Sequence, residues 1–352
     1  LNMTKVAIII PTMNRPDFIL RQLEFYEFIN SPHPVYISDS SGPENAEKIK
    51  NGIGKFKNIK VVYEWAPSGK DPLHSLMLLV KEVYCIQIGD EDFVIPNTIA
   101  ECAEFLEHHP DYATCKGKQV NIRLRKEDYS KPFGLITQQT LPLGRSVEDE
   151  DLCMRVKNFW SNPVFLGYTV RRVEVEKSIH NITKNFLLMG DMTEFLIMSI
   201  LIISGKSKAL EKLGCVMQIS DLRSFDHSVT KNFKLMGEEW SICEDEFSKI
   251  IQKQNISEEK SLQIARWILI LYLSHQYSST ETILRPTDQK HYVSVQPIAL
   301  KRGLLKKVRY LASKSPLLKQ IYYKFNLPEY VTRPESKYYD DFKTVKDFLE
   351  KN

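Results

Sequence analysis

Val6-Ala7-Ile8-Ile9-Ile10-Pro11-Thr12-Met13-Asn14-Arg15-Pro16 sets the fold. A continuous apolar run of this length suits a strand covered on both faces. Two prolines bracket the polar turn behind it. From Asp17 onward, Phe18, Leu20, Leu23, Phe25, Phe28 and Ile29 recur at helical spacing. The same alternation continues down the chain. A second short strand at 35–38 ends in Asp39-Ser40-Ser41-Gly42-Pro43, and a third lies at 59–63. A helix over 72–83 leads into a fourth strand at 84–88, which runs into Gly89-Asp90-Glu91-Asp92. A helix over 96–108 and a strand over 113–123 follow. Such alternation predicts an α/β protein with an open sheet. Ligands of open α/β sheets sit at the carboxyl ends of the strands. Polar, turn-forming clusters fall at three of those ends: Thr12/Asn14/Arg15, Asp39/Ser40/Ser41 and Asp90/Glu91/Asp92.

Beyond this half the pattern thins. Residues 125–151 are polar and irregular, as a loop or ribbon over a site would be. An apolar helix is expected over 191–203, a late strand over 216–219, and two helices within 240–279 joined around Asn255-Ile256-Ser257. The division expected is a catalytic domain over 1–235 and a helical C-terminal region over 236–352.

The chain has 352 residues, 43% hydrophobic and 26% charged, a balance that excludes wholesale disorder. No apolar run approaches the ~20 residues a membrane span needs. The first residues lead straight into a strand without the pattern of a signal peptide. Six dispersed cysteines with no Cys-x-x-Cys pair point to a reducing compartment rather than a disulfide frame or zinc cluster. A cytoplasmic protein is expected. The net charge of +4 hides an asymmetry. Between Gln289 and Pro328 there is no acidic residue but nine lysines and arginines, so the rest of the chain carries −5.

The acidic triplet Asp90-Glu91-Asp92 needs a cation or solvent to offset its mutual repulsion. Its oxygen donors suit hard Mg²⁺ or Mn²⁺; a solvated acidic turn is the alternative. With the first two strands and their turns, the triplet resembles the GT-A glycosyltransferases, closest to the family 2-like branch of bacterial surface-polysaccharide enzymes. The resemblance is good from about Lys5 to Gly117, weak to about Asp226, and lapses beyond. It implies a GT-A fold, a Rossmann-like open mixed sheet with flanking helices, here with a C-terminal helical extension. It also implies inverting transfer from a nucleotide diphosphate sugar. Pro11, Thr12, Asn14 and Arg15, with Asp39 and Ser40, would hold the nucleotide. Asp90 and Asp92 would hold the metal and neutralise the departing diphosphate, with Glu91 as a further ligand. A proline four residues after the last acid, Pro96, fits the family pattern in a register that would start it on Gly89 and use Glu91; the Asp-x-Asp pair itself selects Asp90 and Asp92.

Gly190-Asp191-Met192-Thr193-Glu194-Phe195 resembles the family's Glu-Asp helix, whose aspartate is the general base. The helix-opening Gly-Asp places that base on Asp191, and counting back from Gly205 places it on Glu194. The alternative is that both acids merely favour a helix N-terminus. Arg223 and His227 lie where such enzymes close a basic or histidine loop over the diphosphate, so Arg223 would clamp phosphate and His227 would ligate the metal as a neutral imidazole; Lys70 and His74, after the third strand, would also touch the diphosphate. Each is otherwise an ordinary surface residue.

Residues 300–325 interleave basic side chains with Leu304, Val308 and Leu311 at helical spacing, an amphipathic arm suited to anionic lipid. A helix packed on the domain is the alternative. No nucleic-acid module accompanies it, so nucleic acid is not an expected partner. The expected activity is metal-dependent sugar transfer to a glycan or lipid-linked acceptor in bacterial surface polysaccharide synthesis. It would occur in the cytoplasm, peripherally on the inner face of the membrane. The alternatives are a sugar nucleotidyltransferase, disfavoured because the turn 11–16 lacks glycine, and an inactive glycan-binding scaffold.

Overall fold

The computed structural model describes residues 4–67, 72–124, 132–140, 143–183, 191–219, 233–280 and 331–351. The opening run forms β1 (Val6–Thr12), with its five apolar residues fully buried. Then come α1 (Pro16–Phe28), β2 (Val35–Asp39), α2 (Pro43–Ile53), β3 (Val61–Trp65), α3 (Leu73–Leu79) and β4 (Tyr84–Gln87). Proline opens both α1 and α2, where its missing N–H costs nothing. β5 (Phe93–Val94), α4 (Pro96–His108), β6 (Tyr112–Leu124) and β7 (Ile136–Gln139) follow. The second half supplies α5 (Leu152–Ser161), β8 (Val170–Arg172), α6 (Val173–Thr183), α7 (Asp191–Ser204), β9 (Lys206–Gln218), α8 (Phe233–Gln252), α9 (Glu258–Thr280) and α10 (Tyr339–Lys351).

The strands form one mixed sheet in the order β3-β2-β1-β4-β8-β6-β9-β5, with β7 alongside β6. β1 pairs in parallel with β2 and β4, and β3 with β2. β8 runs antiparallel to β4 and β6, β9 parallel to β6, and β5 antiparallel to β9. The chain leaves β1 toward β2 and β3, then returns on the other side with β4. That reversal makes a topological switch point between β1 and β4, where ligands of such sheets bind. β5 follows β4 after only the acidic turn, yet pairs at the far end of the strand order. The sheet therefore curls, and the acidic turn bridges the gap.

Three hydrophobic clusters of described residues carry the fold. The first packs sheet residues such as Ile8, Ile10, Phe93 and Val216 against α1, α4 and, unexpectedly, α10, through Phe342, Val345, Phe348 and Leu349. Phe348 meets Phe25 and Phe93 edge to face, with centroids 5.3 and 6.2 Å apart. The second joins α5, α7, α8 and α9, with Phe195 stacked on Tyr272 at 4.2 Å. On the sheet's other face, Ala7, Ile9 and Tyr36 pack under Leu76 and Met77 of α3. The helix expected over 72–83 stops at Leu79, because Val80 turns extended and its side chain is buried in this cluster. The late strand is far longer than 216–219, and α2, α5, α6, β8 and α10 were not expected at all.

Candidate functional site

The polar turns after β1 and β2 are tied to each other. Asn14 sits in the left-handed region at φ 57°, which a short polar side chain tolerates better than most. Its N–H donates to Ser41 Oγ at 2.7 Å, and its Oδ1 accepts from the Gly42 N–H at 2.9 Å and from Asn45 Nδ2 at 3.2 Å. The Ser40 N–H donates to the Thr12 carbonyl at 3.0 Å, and Pro11 lies beside Ser38 in the strand register. The N-termini of α1 and α2 thus open from one knitted rim, and exposed helix N-termini favour anions.

Asp39 is fully buried, with both carboxylate oxygens engaged: Oδ1 by the Ser41 N–H at 2.8 Å and Oδ2 by the Tyr63 hydroxyl at 2.6 Å. It shapes the rim from beneath. The side chain beside it in the register is Trp65, 40% exposed, whose indole N–H donates to the Ser41 carbonyl at 2.9 Å. Sequence reasoning passed over Trp65, although a large aromatic ending the third strand was the signal.

The acids of the turn diverge. Asp90 faces β1, with Oδ2 accepting from Thr12 Oγ1 at 2.8 Å across the switch point and Oδ1 paired with Arg15 Nη1 at 2.8 Å. Arg15 Nη2 reaches Glu91 Oε2 at 2.7 Å, so one guanidinium bridges two carboxylates. Burial pulls the Arg15 pKa down, but Asp90 and Glu91 outweigh it and leave it raised. Burial raises the Asp90 carboxyl, with Arg15 and Thr12 opposing. Asp92 points the other way and is 2% exposed. Its Oδ1 accepts from the Gln218 N–H at 2.7 Å and its Oδ2 from the Tyr168 hydroxyl at 2.5 Å, and burial pushes its pKa up to about 8. A Cβ on Gly89 would stand 2.9 Å from Asp92 Oδ2 and 3.0 Å from Tyr168 Oη, so glycine is what lets these groups meet.

Two buried polar residues of α1 hold the turn from below. Arg21 donates to the Glu91 carbonyl and to Gln218 Oε1, both at 2.8 Å, and to the Pro132 carbonyl; Gln22 Nε2 donates to the Gly89 carbonyl at 2.8 Å and to that of Asp92. Sequence reasoning missed both, although charge and amide on the apolar face of a helix were the signal.

Mn²⁺ or Mg²⁺ would need several oxygens converging on one point. Here Asp90 and Asp92 do not converge, and the Asp90–Glu91 pair is bridged by Arg15. Among the described residues no group of three His, Cys, Asp or Glu side chains is placed to hold a metal ion. The described members of this donor set, as folded, do not fit the expected ion, and His227, the further expected ligand, lies outside the described residues. His74 is exposed on the first turn of α3. Glu194 is exposed on the first turn of α7, whose Phe195, Leu196 and Ile200 belong to the second cluster. Asp191 opens that helix. Lys70, Arg223, His227 and the arm at 300–325 lie outside the described residues.

No family model matches the chain, and no curated protein matches it. Among solved structures it is similar to S. aureus TarS 1–349 in complex with UDP-GlcNAc, at 12% identity and a TM-score of 0.50, covering 81% of this chain and 77% of that one. It is also similar to a second crystal structure of S. aureus TarS 1–349, at 12% identity and a TM-score of 0.47, covering 79% and 73%. The first likeness, with the strand order and curl described above, shows a GT-A fold.

Proposed function

We propose that this chain is a glycosyltransferase that takes a sugar from a nucleotide diphosphate donor. The observation that carries the reading is the Thr12–Asp90 hydrogen bond across the β1/β4 switch point, with the Arg15 guanidinium and two helix N-termini around it. A fold neighbour crystallised with UDP-GlcNAc makes UDP the nucleotide to test first. The diphosphate would lie against the N-termini of α1 and α2, where N–H groups and Arg15 stabilise the charge that develops as the sugar–phosphate bond breaks. The base would lie against Trp65.

Transfer with inversion requires a carboxylate opposite the leaving group to take the acceptor's proton. We assign it to the first turn of α7, on Asp191 or Glu194, from the likeness of Gly190–Phe195 to the family's Glu-Asp helix. The acceptor would be a glycan or lipid-linked hydroxyl of a bacterial surface polymer, with the basic arm drawing the enzyme to the membrane that carries it. Calorimetric titration of UDP, UDP-GlcNAc, GDP and CMP into the full chain tests the reading. A diphosphate nucleotide should bind at least about tenfold tighter than CMP, and UDP-GlcNAc should be slowly hydrolysed. Absence of binding by every nucleotide diphosphate would end the proposal.

A further inference from the structure

We infer that, among the described residues, Arg15 is the cation that bridges Asp90 and Glu91, with the buried Arg21 behind the turn: its guanidinium fills the place between these two acids that a divalent ion would otherwise take. This deepens the reading above and rests on it only for the nucleotide.

Four observations support the inference. Nη1 and Nη2 each engage a different carboxylate, at 2.8 and 2.7 Å, the spacing of charge-assisted hydrogen bonds. The guanidinium carbon lies 4.1 Å from the Phe18 ring centroid, so the cation sits over an aromatic face. The Arg15 carbonyl accepts the N–H groups of Phe18 and Ile19 at the start of α1, so its backbone is part of the helix cap and the side chain starts from a fixed point. The remaining turn acid, Asp92, has both oxygens committed elsewhere. A divalent ion entering here must break two ion-pair hydrogen bonds and still lacks the Asp92 oxygens. Arg15 keeps 30% of its side chain exposed, so it stays open to solvent beside the rim where a diphosphate would lie. A planar, always charged fork bridges two acids and an anion without the strict octahedral geometry that Mg²⁺ demands.

The test is direct Mn²⁺ uptake, followed by the electron paramagnetic resonance signal of the free ion, on the full-length protein and three variants. Arg15→Gln should bind Mn²⁺ at least about tenfold more tightly than the wild type. The double variant Arg15→Gln/Asp90→Asn should lose that gain, and Arg15→Lys, which keeps a cation, should resemble the wild type. Thermal melts establish that each variant is folded. Equal Mn²⁺ affinity in the wild type and Arg15→Gln overturns the inference, as does a gain that survives Asp90→Asn. A second arm measures UDP affinity in EDTA and in Mn²⁺. The wild type should differ by less than about threefold between the two, whereas Arg15→Gln should bind weakly in EDTA and recover with Mn²⁺. Loss of UDP affinity by the wild type in EDTA, with recovery in Mn²⁺, also overturns it. Failure of UDP to bind under both conditions would reject UDP as the donor nucleotide, while the Mn²⁺ comparison still decides the role of Arg15.

Discussion

At the scale of single residues, Asp92 shows how a motif and its geometry part company. Three adjacent acids read as one ligand set, but successive residues of a turn face different ways, and only the register of β1, β4 and β9 decides which neighbour each acid meets. Asp90 meets Thr12 and Arg15; Asp92 meets Tyr168 and the Gln218 backbone. Neither pairing is visible along the chain, because the partners are 126 residues apart for Gln218 and 78 for Thr12. The buried position gives Asp92 a pH signature. Its pKa is pushed up to about 8 in the fold, against ~3.9 unfolded. Between those values the unfolded chain has released the proton that the folded chain keeps, so this group's contribution to stability falls as pH rises. Asp92→Asn is isosteric and carries no such proton. The unfolding free energy of the wild type relative to Asp92→Asn should therefore drop between pH 5 and pH 8 in urea melts, and a flat difference would refute the assignment. Trp65 gives a second expectation. Its indole is anchored to Ser41 yet 40% exposed, so Trp65→Ala should weaken UDP binding by ~1–3 kcal/mol, the range of base–aromatic stacking, with little change in melting temperature. Unchanged UDP affinity would place the base elsewhere.

At the scale of elements, legibility followed patterning. β1, β2 and β4 are apolar runs and read at once, as did α4 with Ile99, Ala103 and Leu106 on one face. α2 did not, since only Ala46, Ile49 and Gly52 of its eleven residues are buried. β9 was recognised only at its end, because Lys206–Leu210 alternates lysine with small residues that pair along β6. α5 carried a missed signal, the cap in which Asp151 Oδ1 accepts the Met154 N–H at 2.8 Å. The β6–β9 ladder also depends on a close approach that no periodicity announces. A Cβ on Gly214 would lie 2.6 Å from Gly117 Cα and 2.7 Å from its nitrogen, and backbone does not yield as a side-chain tip does. Gly214→Ala should cost at least ~1–3 kcal/mol, read as a fall in urea midpoint. Because the Gly214 carbonyl also accepts the Ile95 N–H at 2.9 Å, the strain reaches the segment just behind the acidic turn. For α7, Asp191→Asn and Glu194→Gln separate the two candidates. One should lower transfer by ~10²–10⁴-fold with UDP affinity retained; two fully active variants would remove the base from this helix.

At the scale of the whole molecule, the C-terminal segment changes how the basic arm should be tested. The arm's composition was legible, but the return of the chain to the first core was not, although Phe342, Val345, Phe348 and Leu349 already lie at helical spacing. α10 is stitched to the sheet by its aromatic contacts, by the Gly134 N–H on the Leu349 carbonyl at 3.1 Å and by the Ile136 N–H on Glu350 Oε1 at 3.1 Å. Truncation before the arm would therefore strip Phe348 from Phe25 and Phe93. Removing one buried Phe side chain costs ~3–5 kcal/mol, so such a truncation confounds membrane binding with unfolding. Charge removal avoids this. Replacing Lys301, Arg302, Lys306, Lys307 and Arg309 by Gln leaves α10 in place and subtracts five charges from the arm. At about 1 kcal/mol per basic residue near an anionic surface, affinity for phosphatidylserine-containing vesicles should fall by at least ~100-fold, and salt dependence should fall with it. Neutral vesicles should bind both forms equally weakly, and UDP affinity should not change. Equal binding of both forms to anionic vesicles would remove the membrane role from the arm and leave the nucleotide site standing.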